Sequence, residues 1–356
     1  EFDRETQLFG LATPGGRVTT TGLGGFTLGG GYGWISPRFG LTCDNLLSAD
    51  VVTADGRLVT ASERENANLF WGLRGAGANF GVVTSYEFRL HPLGPVVMGG
   101  LLMHPIERGA EVARAYREYV ESAPDELATA LAVLMAPPAS FVPQHLQGKP
   151  VLVIVVLYAG AVEEAEAVVA PLKQLGPPAL DGVQPMPYTA FQALLDPSAP
   201  WGLHVYSRGE HLAGLTDGVI DVYLEYGTEI ATFSPWSQTI IFRHGGAVAR
   251  IPDEATAFSH RRTAYMAHPI AAWENPAGTD RHLDWMRRFS AALRPFVTGG
   301  VYLNLEADEG ADKVRANFSA EKYAKLAALK AKWDPHNLFR LNQNIKPPRK
   351  VARRAR

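Results

Sequence analysis

One cysteine, Cys43, stands in 356 residues. A lone cysteine permits no disulfide within the chain and no thiolate zinc cluster, and beside Asp44 it reads as a small buried hydrophobe rather than a nucleophile. The ten histidines form neither an HExxH pattern nor any close metal-ligand pair, so no metal is expected. No run of about eighteen apolar residues is present, which excludes a transmembrane helix. A net charge of −2 leaves no general basic field for nucleic acid, and the basic tail at 348–356 reads as a solvated end rather than a contact surface. No GxxxxGK[ST] phosphate loop occurs. Nor does any GxGxxG sit in a strand–helix context with an acidic residue about twenty positions on, which argues against a nicotinamide dinucleotide fold. With a single cysteine, any redox chemistry comes from a bound cofactor, and a nicotinamide-dependent dehydrogenase is the less supported reading.

What the chain does have is glycine, concentrated in Thr19–Gly33, TTTGLGGFTLGGGYG. Glycine in such density costs folding entropy and is retained where φ is positive or where backbone must approach closely. Two readings follow: a tight turn array at a sheet corner, or a backbone laid against a large planar, phosphate-bearing ligand. Downstream, Val51-Val52 and Leu58-Val59 flank Asp55-Gly56 as two short strands around a hairpin turn. The middle of the chain alternates apolar strands (VVMGGLLM, LATALAVLM, VLVIVVLY) with amphipathic helices. One helix carries Val112, Tyr116 and Tyr119, and another carries Leu283, Met286, Phe289 and Leu293. A last helix over 320–333 presents Tyr323, Leu326 and Trp333 and stops at Asp334-Pro335. With 46% hydrophobic and 20% charged residues, the chain can bury a core, and its length suggests two domains.

The order of four segments carries a family likeness. The glycine run continues into GLTCDNLLSADVVTADGRLVTAS, then NLFWGLRGAGANFGVVTSYEFRL, and near the far end VYLNL and KWDPHNLFRLNQNIKP. Taken together these segments resemble the FAD-linked oxidases of the berberine bridge enzyme-like group, flavoproteins of the vanillyl-alcohol-oxidase type. The likeness covers most of the chain and is strongest over 1–95 and 300–347. It implies an α+β fold. A p-cresol-methylhydroxylase-type (PCMH-type) FAD-binding domain occupies 1–95, and a substrate domain of antiparallel sheet with flanking helices occupies 96–299. A C-terminal segment, 300–347, returns to the FAD domain, and 348–356 is the basic tail. It also implies FAD as cofactor and a small-molecule substrate, while charge and hydropathy lead to the expectation of no nucleic-acid or membrane partner. Family members carry an upstream Arg- and Gly-rich loop with a histidine bonded to the flavin. This chain starts inside that domain, so it is expected to be a fragment lacking the N-terminal part. A second, thioether link would need cysteine where Val18 stands. A cytoplasmic location is expected.

The resemblance also assigns site residues. The backbone of Thr19, Thr20, Thr21, Gly22, Gly24 and Gly25 would lie near the flavin ring and phosphates, where small residues leave amides accessible. The main chain of Gly81, Val82 and Val83 would hold the adenine end. Asn304, Asn342 and Asn344, with Tyr302, match polar positions that face the flavin. Candidates for the chemistry are Tyr302, Tyr206, Arg208 and His244. Many relatives follow the tyrosine with a second one, at the position of Leu305. Its loss puts the usual base in doubt and would suit an amine substrate. Arg208 stands where bacterial relatives commonly carry lysine, and a guanidinium there would hint at an anionic substrate. His244 reads equally as a group titrating near neutrality or as a hydrogen-bonded structural residue. Thr21 precedes the first loop glycine, where a valine-sized residue accompanies oxidase behaviour in the family, so oxygen is the expected acceptor. The competing expectations are a non-catalytic fragment or binding module, and a flavin dehydrogenase using another acceptor.

Overall fold

The computed structural model describes residues 1–306, 310–341 and 343–348. At its centre lies a ten-stranded antiparallel sheet. Its main path runs Gln184–Pro187, Val96–Pro105, Pro150–Tyr158, Leu127–Met135, Gln238–Arg243, Tyr265–Trp273, Glu210–Leu212 and Val297–Val301. His204–Ser207 adds to Tyr265–Trp273, and Leu180–Asp181 adds to Val96–Pro105. The three apolar runs foreseen as strands are at its heart, and they are apolar without alternation because both faces of the sheet are covered.

Each face meets a different layer. Leu131, Val133, Leu152, Ile154 and Ile241 point toward the helices Gly109–Glu121, Val162–Lys173, Asp217–Ala231 and Thr279–Leu293, packing with Val112, Tyr116, Trp285 and Phe289. The intervening residues Ala130, Ala132, Val153, Val155, Ile240 and Phe242 point the other way, toward Tyr32, Trp34 and Ile35 at the end of the glycine run. Strand geometry alone sorts the residues, since neighbours along a strand face opposite sides. Alanine at 130 and 132 keeps the second face shallow at the centre of the sheet. The architecture is α+β, with the antiparallel sheet and flanking helices that the sequence implied for the substrate domain.

Beside this sheet stands a second, three-stranded one in the order Leu58–Ser62, Leu46–Val52, Val82–Phe88. Its hairpin turns at Asp55-Gly56 as expected, with Gly56 at φ +80° and the Thr53 N–H donating to the Arg57 carbonyl at 2.9 Å. Helix Ala67–Leu73 and the C-terminal helix Ala320–Trp333 pack over it through Phe70, Leu73, Leu326, Leu329 and Trp333. Ser319 caps the C-terminal helix by accepting the Lys322 N–H at 3.1 Å.

Buried charges lock this arrangement. Lys330 is fully buried and pairs with Asp334 at 2.8 Å, while its ammonium also donates to the carbonyls of Asn79 and Phe339. Asp334 accepts the N–H groups of Leu338 and Phe339, which fixes the chain after the helix. Asn79 completes the knot by donating to Gln343 O and accepting the Ile345 N–H. Arg261 forks onto Asp44 at 2.9 and 2.7 Å, with Thr256 as a third partner. Breaking a buried pair strands its other charge, at a cost of about 3–5 kcal/mol. Lys330→Met is therefore expected to lower unfolding free energy by about that much, measured by urea denaturation; a change under about 1 kcal/mol would show that the pair is not the lock.

Candidate active site

The glycine run is dense because other parts of the chain press into it. A Cβ on Gly29 would sit 1.9 Å from Asn304 Oδ1, and one on Gly33 would sit 2.0 Å from the Gly15 carbonyl oxygen. Tyr302 fills the space so created. Its side chain is 1% exposed, and its phenol oxygen accepts the N–H groups of Gly31 at 3.1 Å and Tyr32 at 2.8 Å. Asn304 donates to the same oxygen at 3.0 Å and to the Phe26 carbonyl at 2.8 Å. Burial raises the Tyr302 phenol above its ordinary pKa, so it is neutral at pH 7. Tyr302 and Asn304 thus hold the loop in shape.

Beyond Tyr32 a polar cluster collects on the cavity-facing side of the sheet. The Tyr32 ring lies 4.1 Å from that of His244, His244 lies 5.7 Å from His211, and His211 lies 5.1 Å from His260. The Arg17 guanidinium stacks 3.4 Å above the Phe242 ring, whose other neighbours include His268. Burial, then the charge of Arg17, lowers the pKa of His244 and of His268 to about 3. Burial pushes His211 well below its usual value, with His244 and His260 adding to the effect, and it lowers Arg17 to about 10. At neutral pH the histidines are uncharged and Arg17 is a cation.

Many of these polar atoms have nothing to bind. Among the described residues, both ring nitrogens of His244, Nε2 of His211, Nδ1 of His268 and Nη1 of Arg17 are buried without a partner. Each such group costs about 1–3 kcal/mol, so their concentration in one place marks a site shaped for a polar ligand. None of Arg17, Tyr32, His211 or His268 was singled out from sequence, because they come from four separate segments and share no motif.

Next to the cluster, the shallow sheet face opens into a cavity of about 540 Å³, walled by Trp34, Met103, Ala132, Val153, Ile240 and Phe242 among others. The glycine run is tied to its rim. Thr19 donates its N–H to Asp196 at 2.8 Å and its hydroxyl at 2.5 Å, and the adjoining Pro197 and Ser198 belong to the cavity wall.

The residues singled out from sequence fall into three groups. Thr20, Gly22 and Gly25 are exposed, and a Cβ on Gly22 or Gly25 would meet nothing within 4 Å, so their backbone is open to a ligand. Gly24 abuts the Tyr86 hydroxyl, and Thr21 packs over Gly16. Gly81 is closed in by Val51 and the Val52 carbonyl, Val82 is 55% exposed, and Val83 packs on the three-stranded sheet. Asn344 Oδ1 is buried without a partner among the described residues, while Asn342 lies outside them. His244 and Tyr302 border the polar cluster. Tyr206 and Arg208 do not reach it: Tyr206 pairs with Ala271 on the helix-covered face, and Arg208 contacts the Tyr206 hydroxyl and Glu210 there. Strand parity sends them to the side opposite the cavity. Glu306, which accepts the Gly209 N–H, is raised by burial to about 7 beside this group.

The residues present fit FAD on these observations. Open glycine backbone at Gly22 and Gly25, the unpartnered Asn344 carbonyl oxygen and the orphaned polar cluster together offer contacts for phosphates and for a heteroaromatic ring.

Comparison with known proteins agrees. The FAD binding domain family matches residues 1–62, and the "berberine and berberine like" family matches residues 301–346. An FAD-linked oxidoreductase of Dictyostelium discoideum is 32% identical over 98% of this chain and 73% of its own length. A xylooligosaccharide oxidase of Thermothelomyces thermophilus is 30% identical over 93% of this chain and 69% of its own. The crystal structure of 6-hydroxy-D-nicotine oxidase from Arthrobacter nicotinovorans superposes with a TM-score of 0.84 at 27% identity, covering 97% of this chain and 76% of that one. A flavoprotein fold built on a large antiparallel sheet, with its glycine run tied to the rim of a substrate-sized cavity, is the class these features define. The chain belongs to the FAD-linked oxidoreductases of the berberine bridge enzyme-like group.

Replacing Tyr302 with phenylalanine leaves the Gly31 and Tyr32 N–H groups buried and unpaired, which costs about 1–3 kcal/mol per group. Tyr302→Phe is expected to lower thermal stability and to loosen the glycine run, measured by amide exchange at Gly31 and Tyr32. Unchanged protection at both amides would refute the anchoring role.

Proposed function

We propose that this protein is an FAD-dependent oxidase that removes a hydride from a hydroxyl- or amine-bearing carbon of a small organic substrate and uses molecular oxygen as acceptor. The observation that carries the reading is the cluster of orphaned, buried polar atoms between the glycine run and an apolar cavity, in a chain of this family. Among the relatives, one is named an oxidase of 6-hydroxy-D-nicotine and another an oxidase of xylooligosaccharides, both small organic molecules.

Bound FAD supplies the hydride acceptor and the route of electrons to oxygen. The chain's own residues do the rest. Backbone amides of Thr20 to Gly25 hold the cofactor, with the Gly81–Val83 main chain, Asn304 and Asn344 as further contacts. Tyr302 keeps the loop in register. Tyr32 and neutral His244 orient the reacting hydroxyl or amine by hydrogen bonding. A histidine held near pKa 3 is a weak proton acceptor at pH 7, so its role is orientation. A substrate amine that enters neutral needs no strong base, which supports an amine as readily as an alcohol. Burial around the cluster keeps water from the reacting carbon.

Thr21, nearly isosteric with valine, sits where the side chain before the first loop glycine would govern access of oxygen. After anaerobic reduction by substrate, mixing with oxygenated buffer is expected to reoxidise the protein and release hydrogen peroxide. Thr21→Ile is expected to slow that step and leave anaerobic reduction unchanged, followed by stopped-flow absorbance. Equal reoxidation rates would contradict the gating role of Thr21, and failure of oxygenated buffer to reoxidise the reduced protein with release of peroxide would contradict the assignment of oxygen as acceptor.

A further inference from the structure

We infer that the cavity takes an uncharged, mainly apolar substrate with an aromatic body, and that sugars and carboxylates are excluded; the inference rests on the oxidoreductase reading above. Among the described residues, no Asp, Glu, Lys, Arg or His belongs to the cavity wall. The polar side chains that do are mostly engaged. Ser198 donates to the Leu195 carbonyl, Ser237 bonds the Ala272 carbonyl, and the Trp236 indole N–H donates to Glu274. Within the wall, side-chain polarity for a ligand rests with Gln184, Gln238 and the Trp34 indole, so the body of a substrate lies on apolar surface while its reacting hydroxyl or amine is held by the adjoining cluster.

A sugar brings a hydroxyl at nearly every carbon. Each hydroxyl buried here without a partner weakens binding by about tenfold. A carboxylate fares worse, because the cations are elsewhere: Arg208 is on the opposite face of the sheet, and Arg17 is stacked over Phe242 outside the wall. The hint of an anionic substrate drawn from Arg208 in the sequence therefore does not extend to this cavity. What the wall offers instead is ring and thioether surface from Trp34, Phe141, Phe242, Met103 and Met186, suited to a planar aromatic body. The cavity volume of about 540 Å³ is in the range of ordinary small-molecule sites.

The direct test is calorimetric titration of the flavin-loaded protein under nitrogen with 2-naphthalenemethanol, 2-naphthoate and cellobiose. The alcohol is expected to bind with a negative heat-capacity change, and the other two at least about tenfold more weakly. Ala132→Leu, which fills the shallow centre of the cavity, is expected to weaken binding of the alcohol. Phe141→Ala, at an exposed rim position, is expected to do so without disturbing the fold. Cellobiose or 2-naphthoate binding as tightly as the alcohol would overturn the inference. So would alcohol binding that neither variant alters. Binding of the alcohol without any peroxide on later exposure to air would count against the oxidase reading while leaving the cavity assignment standing.

Discussion

The rest of the structure depends on one side chain seated in one loop. The Tyr302 phenol collects two backbone N–H groups of the glycine run and the Asn304 amide, joining residues 271 and 270 positions apart in sequence. The loop can take this shape only because Gly29 and Gly33 have no Cβ to collide with Asn304 and Gly15. Buried N–H groups must find acceptors. Here the acceptor comes from the segment that leaves the large sheet at Val301 and runs on toward the C-terminal helix. The glycine run, helical over Leu23–Leu28, is thereby held in one arrangement with Thr20, Gly22 and Gly25 exposed.

The large sheet then divides labour between its faces. Large side chains and four helices fill one side, so that face is structural. Alanines at 130 and 132 leave the other side shallow, and the cavity and the polar cluster occupy the room that results. Charge follows the same division. Arg208 and Glu210 lie together on the helix-covered face, whereas the cavity-facing histidines are neutral through burial. Apart from the Arg17 cation the site is neutral, and its burial strengthens every dipole within it. The Lys330 and Arg261 pairs hold the surrounding elements still.

Much of this was legible in the sequence. Strands at 127–135 and 150–158 and helices at 279–293 and 320–333 follow from apolar density and period, and the Asp-Gly hairpin from turn chemistry. The ordered motifs at both ends pointed to the family and to FAD. The proposed cofactor contacts at Thr20 to Gly25 could be read from sequence because they lie in a contiguous motif. Tyr206 and Arg208 illustrate the limit: a strand residue's face is set by pairing register, and a shift of one position reverses it. The histidine cluster illustrates another, since His211, His244, His260 and His268 converge only when the sheet assembles. Lys330 illustrates a third. Its sequence neighbourhood, LAALKAKW, reads as an ordinary amphipathic helix, and only the fold of the following segment turns that lysine inward against Asp334 and two carbonyls.

The measurement that bears most directly on the account is the visible absorbance of the purified chain, recorded before and after addition of FAD and desalting, and again after acid precipitation. The account predicts a flavin spectrum carried by the protein and flavin released into the acid supernatant. A chain that stays colourless after exposure to FAD would contradict it.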